Sequence, residues 1–196
     1  MTKPPKVRDR FGKATLVAWF VVVAMVSAGV LARHLVAMPV PAKTARFGAT
    51  MLALRHAGAP SSWLAVHVLS SECRCSLRVV DHLVSTVRPD GWSEIVLWIG
   101  DVDPPAELAA RFDVRRVTPA ELAKLGIEAA PLLVAVSPDG VVRYAGGYTD
   151  RKQGPVNHDL EILAAARGDG PVPSFPLFGC AVSERLQQAL STLPSP

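Results

Sequence analysis

The chain carries three cysteines in 196 residues, and two of them, Cys73 and Cys75, stand one residue apart in "VLSSECRCSLRVVDHL" (68–83). A thiolate is the nucleophile of disulfide exchange and a soft ligand for Cu(I). Cys73 follows an apolar, β-branched run and precedes a run with helical spacing. A cysteine at a strand end and helix start meets unpaired N–H groups and the positive end of the helix dipole, and both favour the thiolate. Cys73 lies nearest the helix start and is the better placed nucleophile. Arg74 and Arg78 add positive charge nearby, and Glu72 opposes it. Flanking Ser, Glu, Arg and Ser describe an exposed turn rather than two small core residues.

Residues two apart in a helix point about 200° apart. Cys73 and Cys75 therefore pair only if Cys73 sits in the turn before the helix, as a short, strained and oxidising bridge. Cys180 offers another route. It follows "FPLFG" and is read as opening a last helix, "AVSERLQQALSTL". It is the resolving thiol if that helix packs near the active turn, and an inert buried cysteine otherwise.

The elements that must position these residues alternate. "WLAVHVLS" (63–70) and "SEIVLWIGD" (93–101) read as buried strands. "SLRVVDHLVSTV" between them has apolar residues at 77, 79, 80, 83, 84 and 87, the spacing of a helix. "PPAELAARFD" (104–113) starts a second helix, and "VRRV" (114–117) is a short extended piece. "TPAELAKLG" (118–126) carries Thr118 as N-cap, Pro119 in the first turn and Glu121 closing a capping box. "PLLVAV", "SPDG" and "VVRYAG" (131–146) read as strand, turn and strand, and "VNHDLEILAAARG" (156–168) as a helix. Such an order predicts an α/β sheet with parallel pairs and an antiparallel hairpin at one edge.

The N-terminus predicts the compartment. Ala14 to Ala32 is nineteen residues without a charge, roughly 28 Å as a helix and close to a bilayer core. Before it stand Lys3, Lys6, Arg8, Arg10 and Lys13 against Asp9. This asymmetry predicts a cytoplasmic tail (1–13), a single transmembrane signal anchor (14–32) in the cell inner membrane and a translocated remainder facing the periplasm. A cleaved signal peptide sends the remainder to the same place. Residues 33–60 read as a linker, with two prolines in "AMPVPAK", and 61–196 as the domain. The net charge of +4 belongs to residues 1–13; the rest balances sixteen basic against sixteen acidic residues, without a basic stripe. Nucleic acid is therefore not an expected partner. Cysteines in an exported domain suit an oxidising setting.

Joined to "GIEAAPLLVAV", where Pro131 directly precedes a strand, the strand–Cys–helix unit resembles the thioredoxin-like proteins. It is most similar to the membrane-anchored bacterial group called RedB. The matching pieces are "CRCS" (73–76), "GGYT" (146–149), Arg151 with Asn157, and "PLFGC" (176–180). Arg74 stands where that group usually has proline, and Gln153 where it has histidine. The resemblance implies a three-layer α/β/α sandwich, a cis proline at 131 facing the active cysteine, and thiol redox chemistry without a bound cofactor other than a redox-active disulfide. It places partner binding at Ala130, Pro131 and Arg74, with Cys73, Cys75 and Cys180 as the catalytic thiols.

The leading expectation is a thiol–disulfide oxidoreductase acting on protein thiols and disulfides. Cys73 attacks the partner disulfide, and Cys75 or Cys180 resolves it. An alternative is a copper chaperone of the Sco type, with Cys73, Cys75 and His158 holding Cu(I); His67 reads as a packed strand residue and His82 as a helix-surface one. A third class is a non-catalytic, membrane-bound interaction module. A thioredoxin-like peroxidase fits poorly, because "LSSECRCS" lacks the Thr/Pro loop that would donate to peroxide.

Overall fold

A computed structural model describes residues 7–34, 36–55, 62–152, 154–168 and 170–191. The first described element is helix α1 (Val7–His34). Gly12–Gly29 within it is long and apolar enough to cross a membrane. An apolar N-terminal helix of this length can serve as a membrane anchor or as a signal sequence.

A separate compact unit begins at Ala37. Its centre is a five-stranded sheet in the order β3-β2-β1-β5-β6, formed by β1 (Trp63–Ser70), β2 (Trp92–Ile99), β3 (Asp113–Arg116), β5 (Leu132–Val136) and β6 (Val142–Gly146). The β1–β2 and β2–β3 pairs are parallel, and β1–β5 and β5–β6 are antiparallel. Four strands thus share one direction, and β5 runs against them. The hairpin expected after Pro131 closes through a turn in which Gly140 holds a φ of 90°, a conformation that favours glycine.

Alternating residues of β1 serve two cores. Leu64, Val66 and Val68 join one with Phe47, Met51, Leu122 and Ile127. Ala65 and Leu69 join the other with Val79, Val80, Leu83, Leu108 and Ile162. Helices therefore cover both faces. The second face carries α3 (Arg74–Ser85), α4 (Ala106–Arg111) and α6 (Asp159–Arg167). The first carries α2 (Ala45–Leu52) and α5 (Pro119–Lys124), the latter with the full Thr118/Glu121 capping box. Of the apolar positions assigned to α3, Leu77 and Val87 are exposed; Val87 lies beyond the helix end at Ser85.

Two expectations change. The segment 33–60, read as a linker, contains α2, whose Phe47 and Met51 are core residues. Met38 also donates its N–H to the Leu177 carbonyl at 2.7 Å. The domain thus takes in chain well before the expected boundary at Ser61, which itself lies outside the described residues. Cys180 does not open a helix. It forms β7 (Cys180–Ala181), antiparallel to β4 (Ala129–Ala130), with Cys180 opposite Ala130. The final helix, α7 (Glu184–Ser191), starts four residues later.

Candidate functional site

Cys73 ends the turn after β1 and is the N-cap of α3, with extended backbone angles. Cys75 is in the first turn of that helix, so the two side chains are not confined to opposite faces of one regular helix. The peptide bond between Ala130 and Pro131 is cis, and the Ala130 carbonyl lies 3.6 Å from the Cys73 sulfur, accepting its S–H. Because β7 pairs with β4 at this point, Cys180 arrives beside the same sulfur. Cys180 and then Cys75 are the side chains that act most strongly on Cys73. The structure thus brings together the three cysteines, all as free thiols.

Their protons are not equivalent. Donation from Cys180, then from Cys75, holds the Cys73 thiol far below its ordinary range, against the opposing effect of burial. The Ser76 N–H and hydroxyl, in the first turn of α3, act in the same direction, although the buried Ser76 Oγ makes no regular hydrogen bond. Cys75 and Cys180 are pushed up, each chiefly by its bond to Cys73 and then by burial. The cluster therefore sheds its first proton from Cys73, and the other two thiols solvate the charge.

Access runs the opposite way to acidity. Cys73 is fully buried, Cys75 is half-buried and Cys180 is exposed. The sulfur expected to meet a partner directly is the one that solvent does not reach. Arg74 is exposed at the start of α3. The positive charges that bear on the cluster are Arg78, acting on Cys75, and Lys152, acting on Cys75 and Cys180. Arg78 also donates to the Gly154 carbonyl at 3.0 Å, tying α3 to the 149–157 loop.

Between that loop and α3 opens a cleft of about 270 Å³. Cys75, Arg78, His82, Pro131, Tyr148 and Asn157 line it, with Phe178. Behind it runs a buried polar chain that sequence reasoning missed. The Tyr148 hydroxyl meets His67 Nδ1 at 2.8 Å, and His67 Nε2 meets Glu94 at 2.9 Å. Arg88 then binds Glu94 and Asp159, each at 2.7 Å, and Asp159 accepts from His82 Nε2 at 2.8 Å. Burial pushes the Tyr148 hydroxyl well above its usual range. One signal was available: a glutamate in an apolar strand demands a buried partner.

The two stretches that carry the family resemblance prove to be packed on each other. A Cβ on Gly147 would lie 2.1 Å from the Pro176 carbonyl oxygen. A Cβ on Gly179 would lie 1.9 Å from the Ala130 carbonyl oxygen and 2.7 Å from Pro131. Both positions therefore require glycine for backbone contact. Arg151 is exposed, and its carbonyl accepts from Thr149 and Gly154. Asn157 caps the start of α6 by accepting from the Asp159 N–H at 3.2 Å. Gln153 lies outside the described residues.

His158, the proposed copper ligand, is occupied elsewhere. It meets Glu161 at 2.8 Å and stacks on Phe175. Among the described residues, no group of three or more His, Cys, Asp and Glu side chains, the three thiols included, is arranged to hold a metal ion.

No protein-family model matches the sequence, and no curated protein matches it. Four chains among the solved structures are similar, including the following two. An uncharacterized conserved protein from Geobacillus kaustophilus is 20% identical with a TM-score of 0.46, over 63% of this chain and 77% of that one. A hypothetical protein from Sinorhizobium meliloti 1021 is 19% identical with a TM-score of 0.46, over 63% of this chain and 80% of that one.

Proposed function

We propose that this protein is a membrane-anchored, extracytoplasmic thiol–disulfide oxidoreductase of RedB-like, thioredoxin-like character. The observation that carries the reading is the convergence of three thiols beside the cis Ala130–Pro131 bond, where the Cys73 S–H donates to the Ala130 carbonyl. The N-terminal basic residues and apolar helix supply the anchor, with the tail on the cytoplasmic side.

Burial of Cys73 shapes the order of steps. An accessible cysteine, Cys75 or Cys180, gives its proton to water and attacks one sulfur of the partner disulfide. The partner's other sulfur leaves and is protonated by water. Cys73 then attacks the protein sulfur of the mixed disulfide. The second partner sulfur leaves and is protonated by water. Two electrons pass from the protein to the partner, and one internal disulfide remains. The reverse sequence oxidises a partner dithiol.

The test uses the reduced full-length chain in detergent, exposed to oxidised glutathione, with the cysteines trapped and mapped by mass. Formation of an internal disulfide that includes Cys73, and its loss in Cys73→Ala, is the expected outcome. Absence of any exchange, with Cys73→Ala indistinguishable from the parent, sinks the reading.

A further inference from the structure

The backbone beside Pro131 was expected to hold an extended partner chain. It is already taken. Ala129 and Ala130 pair with Ala181 and Cys180 of the same chain. The pairing continues where Val182 donates to the Glu128 carbonyl at 2.8 Å, and Arg185 holds the Glu128 carboxylate. Gly179 lies on Ala130 and Pro131 with no space for even a methyl group. A partner polypeptide cannot add itself to this edge by strand pairing while β7 is in place.

Apart from the exposed Cys180, the cluster is reached through the cleft walled by Cys75. Its volume of about 270 Å³ is at the lower end of small-molecule sites rather than that of a peptide groove. Arg78 lines it and Lys152 acts on the same sulfur, against one opposing carboxylate in the lining, Asp81. His82 is held by the buried Asp159. Arg78 and Lys152 are the cations that act on Cys75, and they favour a substrate that carries an acid group.

Resting on the oxidoreductase reading, we infer that the substrate is a low-molecular-weight disulfide or thiol bearing a carboxylate, bound in the Cys75 cleft between α3 and the 149–157 loop, and not an extended polypeptide. Cys75 is the sulfur that meets it. The exchange steps above then run with Cys75 as the accessible cysteine and Cys73 as the second nucleophile, while Cys180, exposed in β7, is not among the residues that line the cleft.

A matched set of disulfides tests this on the reduced full-length protein in detergent: dithiodipropionate (acidic), bis(2-hydroxyethyl) disulfide (neutral), cystamine (cationic) and an extended disulfide-bonded peptide. Each rate is divided by the rate of the same disulfide with free dithiothreitol, which removes intrinsic reactivity. The acidic compound should exceed the cationic one by about tenfold or more at low salt. Added salt should compress that ratio, as should Lys152→Gln. The peptide should be slowest, and the first adduct trapped in Cys73→Ser should map to Cys75. A peptide rate equal to or above the acidic one, equal rates across the charge series, or an adduct on Cys180 overturns the inference and leaves the oxidoreductase reading standing. Failure of all four disulfides to oxidise the protein overturns both.

Discussion

Removing the Cys180 thiol should raise the pH at which Cys73 ionises, and a paired substitution isolates the cause. Cys180 is the largest influence on Cys73, ahead of Cys75, and burial acts in opposition. A hydrogen bond to a charged group contributes about 1.5–3 kcal/mol, and each pH unit corresponds to about 1.4 kcal/mol. Cys180→Ala should therefore move the Cys73 transition up by about 1–2 pH units. The smaller alanine also lets water closer to Cys73, which acts in the other direction and favours the lower end. Cys180→Ser keeps the volume and an O–H donor, so it should retain most of the depression. Cysteine Cβ chemical shifts followed against pH in the reduced full-length protein report each thiol separately. Identical transitions in Cys180→Ala and Cys180→Ser refute the hydrogen-bond account, and an unmoved transition in both refutes the role of Cys180 altogether.

Gly179→Ala places a methyl group 1.9 Å from the Ala130 carbonyl oxygen; it should lower Tm, with a loss of about 2 kcal/mol or more, and give Cys73 the same upward transition as Cys180→Ala. Glu94 provides a pH test: burial alone would push its carboxyl up, but His67 and Arg88 outweigh burial and hold it at about 2. A depressed carboxyl stabilises the fold above its unfolded value of about 4.3 and loses that contribution as pH falls through the folded value, a change of about 3 kcal/mol. Denaturant midpoints should therefore fall between pH 5 and pH 2, and Glu94→Gln should be less stable at neutral pH and flatter across that window. Met51 is fully buried, so Met51→Ala should cost about 2–5 kcal/mol; an unchanged unfolding midpoint would show that α2 is not part of the domain.

What the sequence made legible was local. The β1–turn–α3 unit, the Thr118/Glu121 capping box and the 137–140 turn each depend on residues within a few positions of one another. The placement of Cys73 at the start of α3 followed from the same short-range pattern. The remainder depends on pairs far apart in the chain. β4 and β7 are two residues each, too short for any periodicity, and "CAV" before a helical pattern looks like the helix itself. The network joining His67, Glu94, Arg88 and Asp159 spans separations of up to 71 residues for a single bond, which no spacing rule connects. α2 looked like connector because its core contacts, Phe47 and Met51, are few and come between proline- and glycine-bearing segments.

The same contacts explain why two motifs separated by about thirty residues of sequence accompany a shortened cysteine spacing. In each, a glycine that permits backbone contact directly precedes the residue with chemistry. Gly147 lies under Pro176 and Leu177, and Tyr148 after it reaches His67. Gly179 lies on Ala130 and Pro131, and Cys180 after it reaches Cys73. The terminal segment 175–181 thus becomes a wall of the site, pinned at both glycines. With the stabilising thiol of Cys180 supplied from that wall, Cys73 does not depend on a neighbour at the usual three-residue offset. Cys75 faces the cleft, meets the substrate and closes the internal disulfide with Cys73. On this argument Cys-x-Cys and the distant Cys180 are a single arrangement, in which β7 takes the place of the missing spacer residue.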